Sequence, residues 1–359
     1  MVVSYMSFDD GWAALNLEMS HRVPRTEYSA SSHWELVSRV TGTRIDRMSP
    51  EDERRKASKA FAGPNGWNFD LSWSTLIGGG ELGEISTNMG HAIYADGGTD
   101  YDRNIHEAFS SPEEVLSFDP ESSLPFVPHD EIVARFENHY AANCRENPDS
   151  VNMTGIYITC VSGLIALLGW DALLLAAGMD SKAFGALTER YTRWIGRYYA
   201  ALAEADVPVV MVHDDIVWTE GAFIQPEWYR SIVFPAYRKF FEPIIASGKK
   251  LLFTSDGDYT EFVDDIADCG VHGFVLEPLT DMAYIAERYG STHVFVGNAD
   301  TRVLLSGSRE AIRAEVKRCM DIGRNCPGFI MAVGNHIPSN TPVESALYYN
   351  EVYEELSSR

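Results

Sequence analysis

From residue 151 onward the chain repeats one pattern six times: a short apolar run is followed by an amphipathic helical stretch. Short runs without polar alternation are typical of parallel strands that are covered by helices on both faces. The predicted strands lie at 153–159, 207–213, 250–254, 273–276, 292–296 and 329–333. The predicted helices lie at 182–204, 226–247, 260–269, 281–289, 309–322 and 342–356. This alternation indicates an α/β fold.

The first 150 residues are less regular and rich in turn signals. An N-terminal strand near 25–29 and one more strand upstream of residue 151 would bring the count to eight, the number that closes a (β/α)8 barrel. We therefore predict a TIM barrel with an irregular N-terminal elaboration, as a single domain over residues 1–359. Residues 1–150 would supply barrel strands, a hairpin with one strand at 89–94 and short helices, and residues 151–359 the regular βα units.

The charge of the chain excludes two classes of partner. Fifty-two acidic residues against 29 basic ones give a formal net charge of −23. Nucleic acids are bound by clustered Lys and Arg, and membrane surfaces are themselves anionic. No apolar run approaches the roughly 20 residues of a membrane helix, and the start resembles no signal peptide. The sequence therefore predicts a cytoplasmic protein that binds neither nucleic acid nor membrane.

Two common site types are disfavoured. The G-x-G-x-x-G match at 78–83 is not followed by a convincing helix, and no P-loop occurs, so a dinucleotide-binding sheet is not expected. The five cysteines form no C-x-x-C pair, which argues against a disulfide framework and a thiolate zinc knuckle.

Polar residues follow five consecutive predicted strands. In a barrel such positions meet at the mouth where catalytic residues lie. Each residue alone could cap the next helix or form a structural hydrogen bond, but the convergence of five strand ends favours a functional pocket. Trp218 and Phe223, in a loop before a helix, are candidates for substrate contact. The strand-end residues are His213, Asp214, Asp215, Asp256, Glu277, Asn298, Asp300, Asn335 and His336.

Several of these residues stand in motifs that resemble a known family. The motifs are Asp214-Asp-Ile, Gln225-Pro-Glu-Trp-Tyr-Arg, Ser255-Asp-Gly-Asp, Gly297-Asn-Ala-Asp, Asn335-His-Ile-Pro and Thr341-Pro-Val-Glu. Their order resembles the uroporphyrinogen decarboxylase superfamily, and within it the methyltransferase branch, whose members move methyl groups to or from corrinoid cofactors. The resemblance runs from about residue 151 to the C-terminus and is weaker before it.

The departures from the family pattern matter as well. Porphyrinogen decarboxylases carry an Arg-rich F-M-R-Q-A-G-R-Y loop that holds substrate carboxylates, whereas the matching region here has only Arg22 and Arg25. The zinc-binding His-x-Cys pair and later Cys of thiol-methylating members align with Thr254, Asp256 and Asn335, which offer no thiolate. The pocket retains oxygen and nitrogen donors that suit zinc or another divalent ion.

The resemblance implies a methyltransferase that moves a methyl group from a small O-methylated donor to a corrinoid on a partner protein, with aromatic methyl ethers among the candidate donors. A metal ion or an acid would activate the leaving oxygen. We assign catalysis to Asp256, His336 and Asp215, substrate binding to His213, Asp214, Trp218, Phe223 and Asn298, and metal binding to Asp256, Glu277 and His336, with Asp300 as a further candidate. The resemblance also allows a homodimer.

Two other functions remain open from the sequence. The first is a metal-free decarboxylase or lyase acting on a smaller substrate, in which Asp214 or Asp256 would stabilise a cationic intermediate. The second is a binding module for a corrinoid or small ligand without catalysis, since fold analogy alone does not prove an activity.

Overall fold

A computed structural model describes residues 7–87 and 108–359, so the hairpin strand predicted at 89–94 lies outside the described residues. Six parallel strands form one continuous sheet in chain order. Each pairs with the next one along the chain, as the repeated βα pattern predicts. The strands are Thr154–Ile156, Val209–His213, Lys250–Thr254, Gly273–Val275, Val294–Val296 and Phe329–Ile330.

A further strand comes from the N-terminal part. Leu71–Ser72 pairs in parallel with Val151–Asn152, which leads directly into the first strand of the six. An isolated parallel bridge between Ile77 and Ile156 continues the same pairing toward the mouth. The strand Leu71–Ser72 is therefore the second strand of the barrel ring, counted from the N-terminus.

The segment around Arg25 closes the ring. Arg25 forms a parallel bridge with Met331, and the Thr26 amide donates to the Met331 carbonyl at 3.0 Å. On its other side, the Asp70 amide donates to the Arg25 carbonyl at 2.9 Å. The segment thus joins the last strand to the second strand of the ring, and the predicted TIM barrel is confirmed. Regular pairing at Arg25 is confined to this one bridge, so the segment is shorter than the predicted strand at 25–29.

Helices surround the barrel. The α-helices of the described residues are Ser7–Leu15, Trp34–Thr41, Glu51–Ala62, Pro112–Ser117, Pro120–Ser123, His129–Glu146, Val161–Leu168, Trp170–Met179, Ser181–Glu204, Pro226–Trp228, Phe234–Ala246, Val263–Ala267, Met282–Tyr289, Thr301–Ser306, Arg309–Gly323 and Val343–Leu356. Short 3₁₀ helices lie at Ala30–Ser32, Gly79–Ile85 and Thr260–Phe262, and a small hairpin joins Val217–Trp218 to Gly221–Ala222.

One predicted helix is interrupted. Residues 226–247 were expected to form a single helix, but a π-helical turn at Tyr229–Val233 separates Pro226–Trp228 from Phe234–Ala246. Pro235, the second residue after this turn, has no amide hydrogen, so it cannot continue the ladder of α-helical bonds. The π-helical turn accommodates the missing hydrogen bond within the helix.

The strands alternate between two hydrophobic environments. Val209 and Met211 belong to a cluster inside the barrel, whereas Val210 and Val212 pack against the surrounding helices. This alternation is the two-residue period of a β-strand. Ala14 and Leu15 of the first helix join the inner cluster, and that helix contacts strands at their start. It covers the amino-terminal end of the barrel, opposite the carboxyl ends of the strands.

Membrane-spanning helices are not apparent in the part of the chain that the structure describes. No single helix there is long and apolar enough to cross a membrane. The pair Val161–Leu168 and Trp170–Met179 meets the length and composition requirement only when joined, and its axes bend by 111°.

Candidate active site

A cavity of about 250 Å³ opens at the carboxyl ends of the barrel strands. Its volume lies near the lower limit of ligand pockets, which hold roughly 300–1,000 Å³, so it suits a small substrate. The lining residues follow the Arg25 segment and the strand Leu71–Ser72 as well as several of the six strands of the main sheet. They are Tyr28, Trp73, Ser74, Thr75, Tyr157, Met211, His213, Thr254, Ser255, Asp256, Val275, Leu276, Glu277, Gly334, Asn335 and His336.

The two-residue period of the strands aims the polar residues into this cavity. His213 follows the inward residues Val209 and Met211 at the same spacing. Glu277 follows the inward Val275 in the same way. Side chains two residues apart share a face, so the strand that fills the barrel with apolar groups ends in a polar group at the mouth.

Three of the polar residues form a compact cluster. His213 Nε2 lies 3.1 Å from Asp215 Oδ1, and the Asp256 amide donates to the same Asp215 oxygen at 3.0 Å. One ring nitrogen and one oxygen from each carboxylate lie within 4.8 Å of one another. We call His213, Asp215 and Asp256 the mouth triad.

The neighbours of His213 stabilise its charged form. Burial alone lowers the pKa of His213, but the charge and hydrogen bond of Asp215, the charge of Asp256 and the Tyr157 carbonyl raise that pKa to about 9. Burial raises the pKa of Asp215, yet the adjacent His213 brings that pKa below its ordinary value. At neutral pH the pair is therefore an imidazolium and a carboxylate. The Tyr157 ring stacks on the imidazole at 3.8 Å and holds its plane.

Glu277 lies in the same cavity beside Asn335. Its carboxylate accepts hydrogen bonds from the Gly257 amide, at 3.3 Å, and from the Asn335 side-chain amide. Burial raises the pKa of Glu277, and the charge of Asp215 acts in the same direction. The Asn335 side chain also accepts a hydrogen bond from the His336 amide at 2.8 Å. Asn335 thus holds Glu277 and His336 together.

Aromatic residues that the sequence did not identify line the same cavity. The Tyr28 and Trp73 rings pack edge to face, with centroids 5.1 Å apart and planes at 88°. The Tyr28 hydroxyl is buried and has no hydrogen-bond partner among the described residues. Buried tyrosine hydroxyls are usually paired, so this group is available to a ligand. Tyr28 lies within the strand predicted at 25–29, whose end was not searched for site residues. Trp73 follows the strand Leu71–Ser72, which the sequence did not locate.

Asp214 lies outside the cavity, although it stands between two cavity residues. Its side chain is fully buried and accepts from the amides of Cys160 and Ser162, at 3.0 and 2.6 Å, and from the Tyr237 hydroxyl. These amides begin the helix Val161–Leu168. Burial raises the pKa of Asp214 to about 6 despite these donors. The structure corrects its predicted role in substrate binding: Asp214 points outward and holds a helix start.

Asn298 and Asp300 also lie outside the cavity lining. The Asn298 amide donates to the carbonyls of Glu277 and Thr280 at 3.1 and 3.0 Å, so it supports the loop that carries Glu277. Asp300 accepts from the Arg302 amide as the cap of the helix Thr301–Ser306 and pairs with the Arg302 guanidinium at 2.7 Å. The helix-capping alternative therefore describes Asp300, and neither residue contacts the cavity directly.

Trp218 and Phe223 form a rim cluster with Trp170. The Phe223 and Trp170 ring centroids lie 5.1 Å apart, and those of Trp218 and Trp170 lie 5.8 Å apart. Trp218 is 50% exposed on its hairpin. These rings stand beside the mouth and do not line the cavity.

The predicted metal ligands are not gathered in the predicted combination. Asp256 belongs to the mouth triad with His213 and Asp215, whereas Glu277 is held by Gly257 and Asn335. Sequence order alone gives no distances across a barrel mouth, so the choice among the strand-end residues needed the structure.

The two N-terminal arginines are structural. Arg22 pairs with the buried Asp70 at 2.8 Å, and the fully buried Arg25 lies over the rings of Trp67 and Tyr353 at 4.6 and 4.3 Å. None of the described residues that line the cavity is Lys or Arg.

Comparison with known proteins identifies the family. The model of the uroporphyrinogen decarboxylase (URO-D) family matches residues 144–356, which is more than half of the chain. The chain belongs to the uroporphyrinogen decarboxylase family. The family recognised from the sequence motifs is thereby confirmed.

Curated members of this family match over part of their length. The uroporphyrinogen decarboxylase of Thermus thermophilus is 29% identical over 172 residues, 48% of each chain. That of Carboxydothermus hydrogenoformans is 31% identical over 179 residues, 49% of this chain and 48% of the relative. The chain therefore aligns with about half the length of these relatives.

A solved structure matches nearly the whole of this chain. A methyltransferase from Methanosarcina mazei aligns with a TM-score of 0.63 over 98% of this chain and 99% of its own, at 18% identity. At this identity the likeness establishes the fold. It shows that the barrel and the N-terminal elaboration together match a known architecture.

Proposed function

We propose that this URO-D family member is a methyltransferase that moves a methyl group from a small O-methylated donor to a corrinoid on a partner protein. The observation that carries the proposal is the composition of the mouth cavity. Acid–base residues from several strands meet aromatic walls there, and no Lys or Arg is among the described lining residues. The fold shared with a methyltransferase from Methanosarcina mazei supports it.

The cavity is poorly suited to a porphyrinogen. A substrate with many carboxylates needs cationic partners, because burying an unpaired charge is costly. Arg22 and Arg25 are engaged elsewhere, and the lining carries Asp256 and Glu277 instead. The cavity volume of about 250 Å³ also favours a smaller molecule.

Cleavage of a methyl ether leaves negative charge on oxygen, which a proton or a Lewis acid must stabilise. The mouth triad fits a divalent ion, because one nitrogen and two carboxylate oxygens within 4.8 Å form a donor set that suits zinc and similar ions. An ion held by His213, Asp215 and Asp256 would supply Lewis-acid stabilisation of the leaving oxygen. His213 must lose its proton to bind, so protonation and metal binding compete.

The chain's own residues would orient the donor. Tyr28 and Trp73 form the apolar wall on one side, and Asn335 fixes Glu277 and His336 near them. Without an ion, the protonated His213, paired with Asp215 at 3.1 Å, would act as the acid. A corrinoid protein would approach the cavity from the carboxyl ends of the barrel strands. This partner, a homodimer and the cytoplasmic location stay predictions.

The product tests the reaction type. The protein is incubated with methoxylated aromatic and aliphatic compounds and reduced cobalamin, and the demethylated alcohol and methylated corrin are quantified by mass spectrometry. Parallel reactions with small carboxylic acids measure CO2 release. Transfer to the corrin is expected. Release of CO2 without methyl transfer would favour a decarboxylase, the alternative that the names of the curated relatives support.

The metal content of the purified protein tests whether the mouth triad binds a divalent ion. Plasma mass spectrometry on tag-free protein is expected to find near one divalent ion per chain in the wild type and in His336→Ala, and a loss in His213→Ala. The His336 variant is the matched control, because that residue lines the cavity but lies outside the mouth triad. Absence of metal after reconstitution with zinc would contradict the proposal that the mouth triad binds an ion. The methyl-transfer assay would then test acid catalysis by His213.

A further inference from the structure

The walls of the cavity combine ring faces with acidic groups. Tyr28 and Trp73 meet at right angles on one side, and Tyr157 stands on another, stacked against His213. All three side chains keep part of their surface accessible. The electron-rich faces of aromatic rings attract organic cations, and methylated ammonium groups are recognised in this way.

Carboxylates supply the matching charge. Asp256 and Glu277 line the cavity, and Asp215 lies directly behind Asp256. The His213 imidazolium pairs with Asp215 at 3.1 Å, and no Lys or Arg joins it among the described lining residues. Negative charge also reaches the aromatic wall: after burial, the carboxylates of Glu27, Glu277 and Asp256 are what raise the pKa of Tyr28.

The combination of ring faces and carboxylates suits a quaternary ammonium group. A tetra-alkylated nitrogen offers no N–H and accepts no hydrogen bond, so it needs rings and distant negative charge instead of specific polar partners. Anionic substrates need the reverse, and a neutral ether gains no direct charge attraction from the carboxylates. The lining therefore discriminates among these three ligand types by charge.

We propose that the cavity binds small methylated ammonium cations and uses them as a second class of methyl donor. Binding follows from the cavity alone, whereas the donor role rests on the proposed methyl transfer. In that transfer the C–N bond breaks and its electron pair stays on nitrogen. The reduced corrin of the partner protein supplies the pair for the new bond to carbon. The leaving group is a neutral amine, so this donor class needs neither a proton nor a divalent ion.

Binding is measured by isothermal titration calorimetry on the full chain in chelator-treated buffer. Choline is compared with 3,3-dimethylbutan-1-ol, a neutral compound of the same shape. Choline is expected to bind at least roughly 10-fold more tightly, as cation–π and charge attraction together predict. Equal affinities, or no binding of choline, would overturn the proposal.

Two tryptophan variants locate the site. Trp73→Leu removes a cavity ring and is expected to weaken choline binding roughly 3- to 30-fold. Trp34→Leu is the matched control, because Trp34 packs against Arg54 on a different helix and does not line the cavity. Unchanged affinity in Trp73→Leu, or equal losses in both folded variants, would place the cation elsewhere and overturn the assignment.

Methyl transfer from choline to reduced cobalamin then tests the donor role. Transfer that persists in chelator while transfer from methyl ethers falls is the expected result. Choline binding without transfer, in a protein that demethylates ethers, would overturn the donor role alone. Transfer from ethers without choline binding would overturn this inference and leave the proposed function standing.

Discussion

His213 links the charge of the cavity to the stability of the barrel. It is buried, it is the last residue of its strand, and its imidazole is held between Asp215 and the Tyr157 carbonyl. In the unfolded chain its pKa would be about 6.5, whereas the folded environment raises it to about 9. The native state therefore keeps a proton that the unfolded state releases.

This difference predicts a pH dependence. Because the pKa of His213 is raised on folding, its stabilisation is fully present below about pH 6.5 and is lost as the pH rises through about 9. We expect the wild type to lose up to about 3 kcal/mol of unfolding free energy across this range through His213. Denaturant unfolding of chelator-treated protein at pH 6.5 and 9 checks this.

His213→Asn is the comparison for that measurement. The variant lacks the titrating group, so its stability should change less between the two pH values than that of the wild type. Because all other groups are shared, the difference between the two slopes isolates His213. Equal slopes in both proteins would contradict the imidazolium–carboxylate pair and with it the charge assigned to the mouth triad.

At the scale of elements, the helix Val161–Leu168 connects the barrel to its surrounding helices. Asp214 holds the start of this helix, and Gly163 within it lies against the long helix Ser181–Glu204. A Cβ on Gly163 would stand 1.9 Å from the Tyr191 hydroxyl oxygen. The Tyr191 hydroxyl in turn donates to the Ile158 carbonyl at 2.8 Å, so it is not free to move aside.

A pair of glycine variants tests this packing. Gly163→Ala is expected to destabilise the fold by about 1–3 kcal/mol through overpacking. Gly178→Ala, in the next helix, meets no atom within 4 Å and is expected to stabilise by about 0.5–1 kcal/mol, since alanine favours helices. Both changes add the same methyl group, and thermal unfolding measures them. Stabilisation by Gly163→Ala would contradict the close approach of the two helices.

The regular elements were predictable because their patterns are long. The strand Lys250–Thr254 matches its predicted bounds, and the barrel follows from the βα repeat. The strand Leu71–Ser72 has two residues, too few for any period to show, so Trp73 and the aromatic wall behind it were missed. The length of an element therefore decided what the sequence could reveal.

The candidate site was predictable as a set of residues but not as an arrangement. His213, Asp215 and Asp256 were all expected at the mouth, and they meet there. Asp214 follows the same strand but points outward, as the two-residue period requires, and Asp300 caps a helix. Strand alternation could have excluded Asp214 from the sequence alone. The distances that separate the mouth triad from Glu277 could not be obtained in that way.

At the scale of the whole molecule, residues that stabilise the barrel and residues that line the cavity lie at opposite ends of the barrel. Its amino-terminal end is covered by the first helix, and the fully buried Arg25 helps to close the ring there. Its carboxyl end gathers acid–base residues and aromatic rings around one small cavity. This division is typical of TIM-barrel enzymes, in which loops at the carboxyl ends of the strands carry the reaction.

The measurement that tests this account most directly is methyl transfer to reduced cobalamin by the wild type, Asp256→Asn and Asp300→Asn. Both variants replace an acid that follows a barrel strand, but Asp256 belongs to the mouth triad and Asp300 caps a helix outside the cavity. We predict a loss of roughly 100-fold or more in kcat/KM for Asp256→Asn and a change of less than about 3-fold for Asp300→Asn. Full activity in folded Asp256→Asn would contradict the assignment of the cavity as the site of methyl transfer.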